Sequence, residues 1–320
     1  MFARTIRIGS RGSDLALWQA NHIAEMLRMT YPDVTVTIEI ITTTGDRDQN
    51  ASLAVIGGKG AFTKEIEEAL LRSEIDLAVH SLKDLPTELD EQLTVAMVPK
   101  REDVRDVFIS REPGLHLAEL PRNAWVATGS LRRKAQLLRQ REDLRIADIR
   151  GNVPTRIKKL MASDWDGLIL ASAGITRLGL TEHVSHPISL EWILPAAGQG
   201  ALGIETRSND SELIELLAPL NDTPTLQAVT AERALLNALG GGCQVPLGVY
   251  GKIINGTLEL VACAAHPDGI AFVRAEHTGS PENAAKIGKE LAQTLLNNGA
   301  DEILEYVSRL QSGSKTVSPP

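Results

Sequence analysis

The hydrophobic positions follow one rhythm over roughly the first 220 residues and a different one afterwards. In the first part, short apolar runs alternate with stretches of helical spacing, which predicts α/β structure with parallel strands. Thr5–Gly9 reads as a strand, and Ser13 as the N-cap of a helix from Asp14 to about Met29. Val34–Thr42, rich in β-branched residues, reads as the next strand. Ala61–Arg72 sets Phe62, Ile66 and Leu70 on one helical face. Ile75–Val79 reads as a buried strand, followed by His80-Ser81 and the loop Leu82-Lys83-Asp84-Leu85-Pro86. The strand–turn–helix pattern returns at Trp125–Thr128 with Ser130 and Leu131 onward, and Leu168–Ser172 is another core strand. From about Gly248 the signals become antiparallel. Asn255-Gly256 is a hairpin turn, and His266-Pro267-Asp268-Gly269 leads to a strand at Ala271–Arg274. Two helical stretches follow, divided near Asn297-Asn298-Gly299, and residues 311–320 are expected to be a disordered Ser/Pro-rich tail.

Composition narrows the classes. A chain of 320 residues, 43% hydrophobic and 23% charged, has room for two or three domains. Aromatic residues at 3% argue against a stacking platform for single-stranded nucleic acid. No apolar run approaches the roughly 20 residues that span a bilayer, and Met1–Arg7 has no apolar signal core. A cytoplasmic protein without membrane or nucleic-acid partners is expected. Two cysteines nineteen positions apart supply neither a disulfide framework nor a zinc spacing. His183 and His186 are three apart with no completing ligands, so no metal is expected.

The formal charge of −8 conceals an asymmetry. Between Ser130 and Leu160 ten Lys and Arg stand against three acids. A basic island on an acidic chain points to a polyanionic ligand. Two helix starts lie within it. Ser130-Leu131-Arg132-Arg133 and Arg150-Gly151-Asn152-Val153-Pro154-Thr155-Arg156 each bring backbone N–H groups and guanidinium groups together, a setting for carboxylates or phosphates. Gly57-Gly58-Lys59-Gly60 lacks the first glycine and the final Ser or Thr of a phosphate-binding loop, so nucleotide binding is rejected. Asp84 stands at a strand's C-terminal end, where α/β sheets place ligand crevices. Cys243 follows three glycines and precedes Gln244-Val245-Pro246, a setting that clears space for something bulky on the thiol.

These stretches, in order, resemble the porphobilinogen deaminase (hydroxymethylbilane synthase) family. The matching motifs are IGSRGS (8–13), VHSLKDLP (79–86), GSLRRKAQL (129–137), RGNVPTR (150–156), LPAAGQGALGIE (194–205) and GGCQVPLG (241–248). The resemblance implies an enzyme that deaminates four porphobilinogen molecules and joins them head to tail on a dipyrromethane cofactor. It then releases the linear tetrapyrrole by hydrolysis. By the same resemblance the cofactor hangs by a thioether from Cys243, and Asp84 is the catalytic carboxylate. Ser81, Lys83, Thr128, Ser130, Arg132, Arg133, Arg150 and Gly151 would hold the cofactor. Arg11, Ser13, Gln19, Arg156, Arg177 and Gln199 would hold substrate, with Lys59 and Phe62 on a lid. Gly129 stands where the family often has Ser, and Val55 where a lysine is common.

The implied fold has two similar α/β domains like those of type-II periplasmic binding proteins. A small C-terminal α+β domain with a three-stranded antiparallel sheet completes it. Expected boundaries are 1–99 with 200–218, 105–194, and 222–310. A monomer is expected, with transient hand-over of product to uroporphyrinogen-III synthase. The rivals are a two-lobed cytosolic anion-binding protein and a transferase that turns over through an acyl-thioester on its cysteine.

Overall fold

The computed structural model describes residues 4–47, 62–112, 114–240 and 245–313. The chain begins with β1 (Thr5–Ser10), α1 (Asp14–Thr30), β2 (Thr35–Ile40), a short α2 (Thr44–Arg47), α3 (Lys64–Leu71), β3 (Leu77–Ser81) and β4 (Leu93–Met97). It crosses to a second lobe made of β5 (Asp106–Ser110), β6 (Trp125–Ala127), α4 (Leu131–Gln140), β7 (Arg145–Ala147), α5 (Val153–Met161), β8 (Gly167–Ala171), α6 (Ser172–Arg177) and β9 (His186–Pro187). It returns through β10 (Leu202–Arg207) and α7 (Ser211–Leu217), then continues into α8 (Thr223–Ala238). The final unit holds β11 (Leu247–Ile254), β12 (Thr257–Ala265), β13 (Phe272–Gly279), α9 (Ala284–Leu295) and α10 (Asp301–Gly313).

The first two sheets share one plan. Their strand orders are β2-β1-β3-β10-β4 and β7-β6-β8-β5-β9. In each, three strands run parallel, and the fourth is the strand arriving from the other lobe. That strand pairs antiparallel with both neighbours in each lobe, β10 with β3 and β4, and β5 with β8 and β9. The expected parallel sheets are therefore mixed. The exchange explains why: a strand delivered by a direct crossing enters from the opposite end, and no helix intervenes to turn it round.

The two crossings touch backbone to backbone. Gly200 adopts φ +86°, and a Cβ there would stand 2.5 Å from the Glu102 carbonyl oxygen. The Glu102 amide donates to the Gly200 carbonyl at 3.2 Å. Only glycine fits a position with both constraints. Glu232 of α8 then ties the crossings to the third unit. Its carboxylate pairs with Arg101 at 2.7 Å and accepts from the amides of Gly198 and Gly251.

Apolar periodicity accounts for the cores. Ile6 and Ile8 of β1 pack with Ile23 and Leu27 of α1 and Leu213 of α7. Ile66 and Leu70 of α3 cover the opposite face with Ile75 and Ala78. In the second lobe, Val107, Ile109 and Leu168 meet Ile157 and Leu160 of α5. The third sheet, order β11-β12-β13, is covered by α8, α9 and α10. Asn255 and Gly256, both at positive φ, form its first hairpin turn. α10 runs to Gly313, into the stretch expected to be the tail, and residues 314–320 lie outside the described residues.

Three element boundaries move. The strand expected over 34–42 is trimmed to β2, and the one expected at 75–79 is shifted to β3, taking in His80 and Ser81. Phe62 lies ahead of α3 rather than on its apolar face, which leaves its ring free to pack elsewhere.

Candidate active site

A cavity of about 390 Å³ opens between the two lobes. Its walls come from the C-terminal ends of strands, where a doubly wound sheet leaves backbone groups and loops to face a ligand. Lobe one contributes Arg11 and Ser13 after β1, Ser81 at the end of β3, and Lys83 and Asp84 after it. Lobe two contributes Arg133 of α4, the turn and first residues of α5 from Arg150 to Arg156, and Arg177 of α6. Local chemistry fixes these turns. The Ser13 hydroxyl caps α1, and Ser130 caps α4 by accepting from the Arg133 amide. Asn152 caps α5 through the Thr155 amide at 2.9 Å, with Pro154 in the first turn.

Charge is the cavity's main property. Six cations, Arg11, Lys83, Arg133, Arg150, Arg156 and Arg177, face it against three carboxylates, Asp14, Asp46 and Asp84. Arg11 is held by Asp46 and lies 4.3 Å over the Phe62 ring. Arg156 and Arg177 differ: among the described residues each hydrogen-bonds a backbone carbonyl, Gly151 and Gly200 respectively, both at 2.7 Å, and pairs with no carboxylate. Burial pushes Arg156 down to about 10, helped by Arg133 and Arg150 and opposed by Asp84. Burial likewise lowers Arg177 to about 10, with Glu102 opposing. Lys83 is pushed down to about 8 by burial, against the pull of Asp84. Arg156 and Arg177, desolvated and without a carboxylate partner among the described residues, favour an anionic ligand.

The residues named from the sequence fall into two layers. Arg11, Ser13, Phe62, Ser81, Lys83, Asp84, Arg133, Arg150, Gly151, Arg156 and Arg177 line the cavity. Arg132, Gln199 and Gln19 lie one layer behind. Arg132 pairs with the fully buried Asp106 at 2.9 Å, and so does Arg133 at 2.8 Å. Burial opposes charge on Asp106, but the two arginines together hold its carboxyl well below the usual carboxylate range. The Gln199 amide nitrogen donates to Asp106 at 2.8 Å, and its oxygen lies 3.5 Å from both Arg132 and the Lys83 ammonium. Gln199 thus links a lobe-one lysine to the lobe-two arginine pair. The Gln19 amide donates to the Ser81 hydroxyl at 2.8 Å. The Thr128 hydroxyl accepts from the Ser130 amide within the turn before α4. Cys243 and Lys59 lie outside the described residues.

Two acids that matter here were not singled out in the sequence. Asp46 anchors Arg11, and Asp106 neutralises the arginine pair. The available signal for Asp106 was one acid at the head of the apolar run Val107-Phe108-Ile109. The other cysteine, Cys263 on β12, is fully buried with its sulfur 3.4 Å from the Gln136 side-chain oxygen, and burial pushes its thiol up to about 11. Among the described residues, no three His, Cys, Asp or Glu side chains are grouped to hold a metal, and no helix is long and apolar enough to cross a membrane.

Two family profiles match the chain. Residues 6–215 match "Porphobilinogen deaminase, dipyromethane cofactor binding domain", and residues 226–297 match "Porphobilinogen deaminase, C-terminal domain". The porphobilinogen deaminase of Desulforudis audaxviator is 51% identical over 304 residues, covering 95% of this chain and 98% of its own. That of Syntrophobacter fumaroxidans is 47% identical over 309 residues, covering 97% of this chain and 100% of its own. Among solved structures, the methionine binding protein MetQ aligns at 14% identity with a TM-score of 0.43, over 78% of this chain and 99% of its own. With both profiles matched in order along two lobes and a third unit, the chain belongs to the porphobilinogen deaminase family.

Proposed function

We propose that this chain is a transferase of tetrapyrrole biosynthesis, using the inter-lobe cavity to deaminate four porphobilinogen molecules and couple them head to tail. The growing chain is carried on a dipyrromethane primer fixed to Cys243, and the linear tetrapyrrole hydroxymethylbilane is released with water. The observation that carries this is the cavity wall, which six cations share with the carboxylate of Asp84. Each pyrrole unit brings two carboxylates, so a wall in which cations outnumber carboxylates suits the cargo, and the Asp84 carboxylate within it suits the positive charge that the reaction develops.

The residues fit such a cofactor. Arg156 and Arg177 reach the cavity without carboxylate partners, and the Arg133 Nε is buried with no hydrogen bond among the described residues. Arg133, Arg150 and Lys83 would hold cofactor carboxylates, with Ser81 and Gly151 beside them, while Thr128, Ser130 and Arg132 shape the start of α4. Arg11, Ser13, Arg156 and Arg177 would hold substrate, with Gln19 and Gln199 acting from behind. When bound, dipyrromethane supplies a pyrrole carbon that captures the electrophile made from the substrate. Cys243 gains support as its attachment point from Cys263, which is fully buried on β12, does not line the cavity, and has its thiol pushed up to about 11 by burial.

Asp84 stabilises the cation formed as ammonia leaves, and accepts or returns a proton at its carboxylate oxygens. Lys83, next to it in the chain, sets a positive charge near that carboxylate. The cavity lies at the low end of the roughly 300–1,000 Å³ usual for small-molecule sites. A lengthening chain therefore requires the lobes to turn about the 98–105 and 188–201 crossings. We place the enzyme in the cytoplasm as a monomer, with domains 1–99 plus 200–218, 105–194 and 222–310, passing its product to uroporphyrinogen-III synthase.

Intact mass of the denatured enzyme tests the tether: the expected mass carries two pyrrole units on Cys243, and an unmodified thiol in active protein refutes it. Asp84→Asn should fold normally while turnover falls by about 10²–10⁴-fold. A protein that binds carboxylates but releases no ammonia from porphobilinogen would be the anion-binding rival.

A further inference from the structure

Trp18 is a large aromatic side chain that is 37% exposed, yet its ring meets side chains of both lobes. It lies on α1 of lobe one. One turn along, His22 stacks with its indole at a centroid distance of 5.0 Å and an interplanar angle of 15°. That i, i+4 pair restrains the ring on its own helix. From lobe two, the Arg177 guanidinium sits 5.7 Å from the indole centroid. The helices carrying them meet here, and Gly174 of α6 leaves room for the Leu15 side chain of α1.

Arg177 needs such a contact. Its guanidinium has five N–H donors, is buried, and lines the cavity, yet among the described residues it makes one hydrogen bond, to the Gly200 carbonyl. A single bond leaves a planar group free to swing about it. An aromatic face supplies the second point that fixes its plane, at a separation where a cation–π contact is favourable. The Gly200 anchor belongs to one inter-lobe crossing, and Trp18 belongs to the opposite lobe. The orientation of Arg177 is therefore set by how far the lobes are apart.

We propose that Trp18 is a positioning residue that aligns Arg177 for a substrate carboxylate and couples that alignment to lobe closure. The proposal rests on the function proposed above. Trp18 does not touch the reacting atoms and acts through Arg177. In the holoenzyme, Trp18→Leu should raise KM for porphobilinogen roughly three- to thirty-fold with kcat within about two-fold. Trp18→Phe, which keeps a π face, should recover most of that loss, and melting temperatures should match the unsubstituted enzyme. Trp18→Leu combined with Arg177→Met should be no worse than Arg177→Met alone.

A second readout does not depend on turnover. The emission that Trp18 contributes, obtained by subtracting the Trp18→Phe spectrum, should change on Arg177→Met. Unchanged emission overturns the contact. Equal KM values in Trp18→Leu and the unsubstituted enzyme, equal losses in the Leu and Phe variants, or additive losses in the double variant overturn the positioning role. Absence of any turnover in the unsubstituted holoenzyme would instead refute the proposed function, leaving the emission result to decide the contact.

Discussion

Two arginine clusters, one at the base of lobe one and one in the cavity between the lobes, differ in one respect, the supply of carboxylates. At the base, Arg4, Arg7 and Arg207 share Asp76 and Asp210. Arg4 reaches Asp210 at 2.7 and 3.0 Å and Asp76 at 2.9 Å, and Arg7 grips both oxygens of Asp76 at 3.0 Å. Arg207 adds bonds to Asp210 and to the carbonyls of Leu70 and Ile75. In the cavity, by contrast, Arg156 and Arg177 end on single carbonyls. Hydrogen bonding to Asp210 drives the Arg4 pKa up, whereas burial drives Arg156 and Arg177 down. A satisfied cluster holds the fold together, and an unsatisfied one holds something else. Pairing, more than arginine content, separates the two.

Asp106 offers the strongest way to break that distinction, because it places base-like pairing inside the functional wall. Asp106→Ala would strand Arg132 and Arg133 as buried cations, and removing one partner of a buried pair costs about 3–5 kcal/mol. Urea unfolding should register that loss, together with weaker porphobilinogen binding. A stability change below about 1 kcal/mol would mean that water reaches the pair.

Removing an unpaired cavity arginine should do the reverse. Arg156→Met loses a charged donor to substrate worth about 1.5–3 kcal/mol, a ten- to hundred-fold rise in KM. Stability should hold or improve, since a desolvated cation is removed. A destabilised variant with unchanged KM would make Arg156 a structural residue and end the contrast.

This contrast was only half legible in the chain. The basic island of ten Lys and Arg pointed to an anion site, but just three of them, Arg133, Arg150 and Arg156, reach the cavity. Arg141 pairs with Asp143, Arg145 lies over Trp125, and Arg139 over Phe272. A linear window counts every face of a helix, and only one face can look into the cleft. The remaining cations, Arg11, Lys83 and Arg177, come from distant segments that the crossings bring together. Elements were clearer because periodicity and caps are local: Ser13 caps α1 where its side chain predicts, and the helix starts read at Ser130 and at Arg150–Arg156 open α4 and α5. The antiparallel strands β5 and β10 were not, since their direction depends on which lobe they arrive from. Asp106 escaped notice because partners 26 and 27 residues away leave no local mark.

At the base, the contrast can be read by pH. Burial disfavours charge on Asp76, but its hydrogen bonds to Arg7 and Arg4 outweigh this and hold its carboxyl well below the usual range. Its folded pKa is thus lower than its unfolded value near 3.9, so the stabilisation is complete above that value and is lost as pH falls below it. Asp76→Asn should cost about 1–3 kcal/mol at pH 7. The difference from the unsubstituted enzyme should shrink on acidification below about pH 4. A pH-independent difference would assign the loss to packing.

Lys83 gives the smallest effect and the sharpest test, because the same titration should move binding and stability in opposite directions. Burial lowers its ammonium to about 8 in the folded chain, against about 10.4 when unfolded. Between those values the unfolded state binds the extra proton, so this group's contribution to stability rises with pH. A bound carboxylate needs the charged form, so KM should rise several-fold between about pH 7 and 9 as one charge-assisted contact fades. Lys83→Met should flatten both trends, weakening binding at pH 7 while removing the stability penalty of a desolvated ammonium. A variant that kept the alkaline rise in KM would transfer that titration to another group. One that lost stability at pH 7 would place Lys83 with the paired arginines of the base.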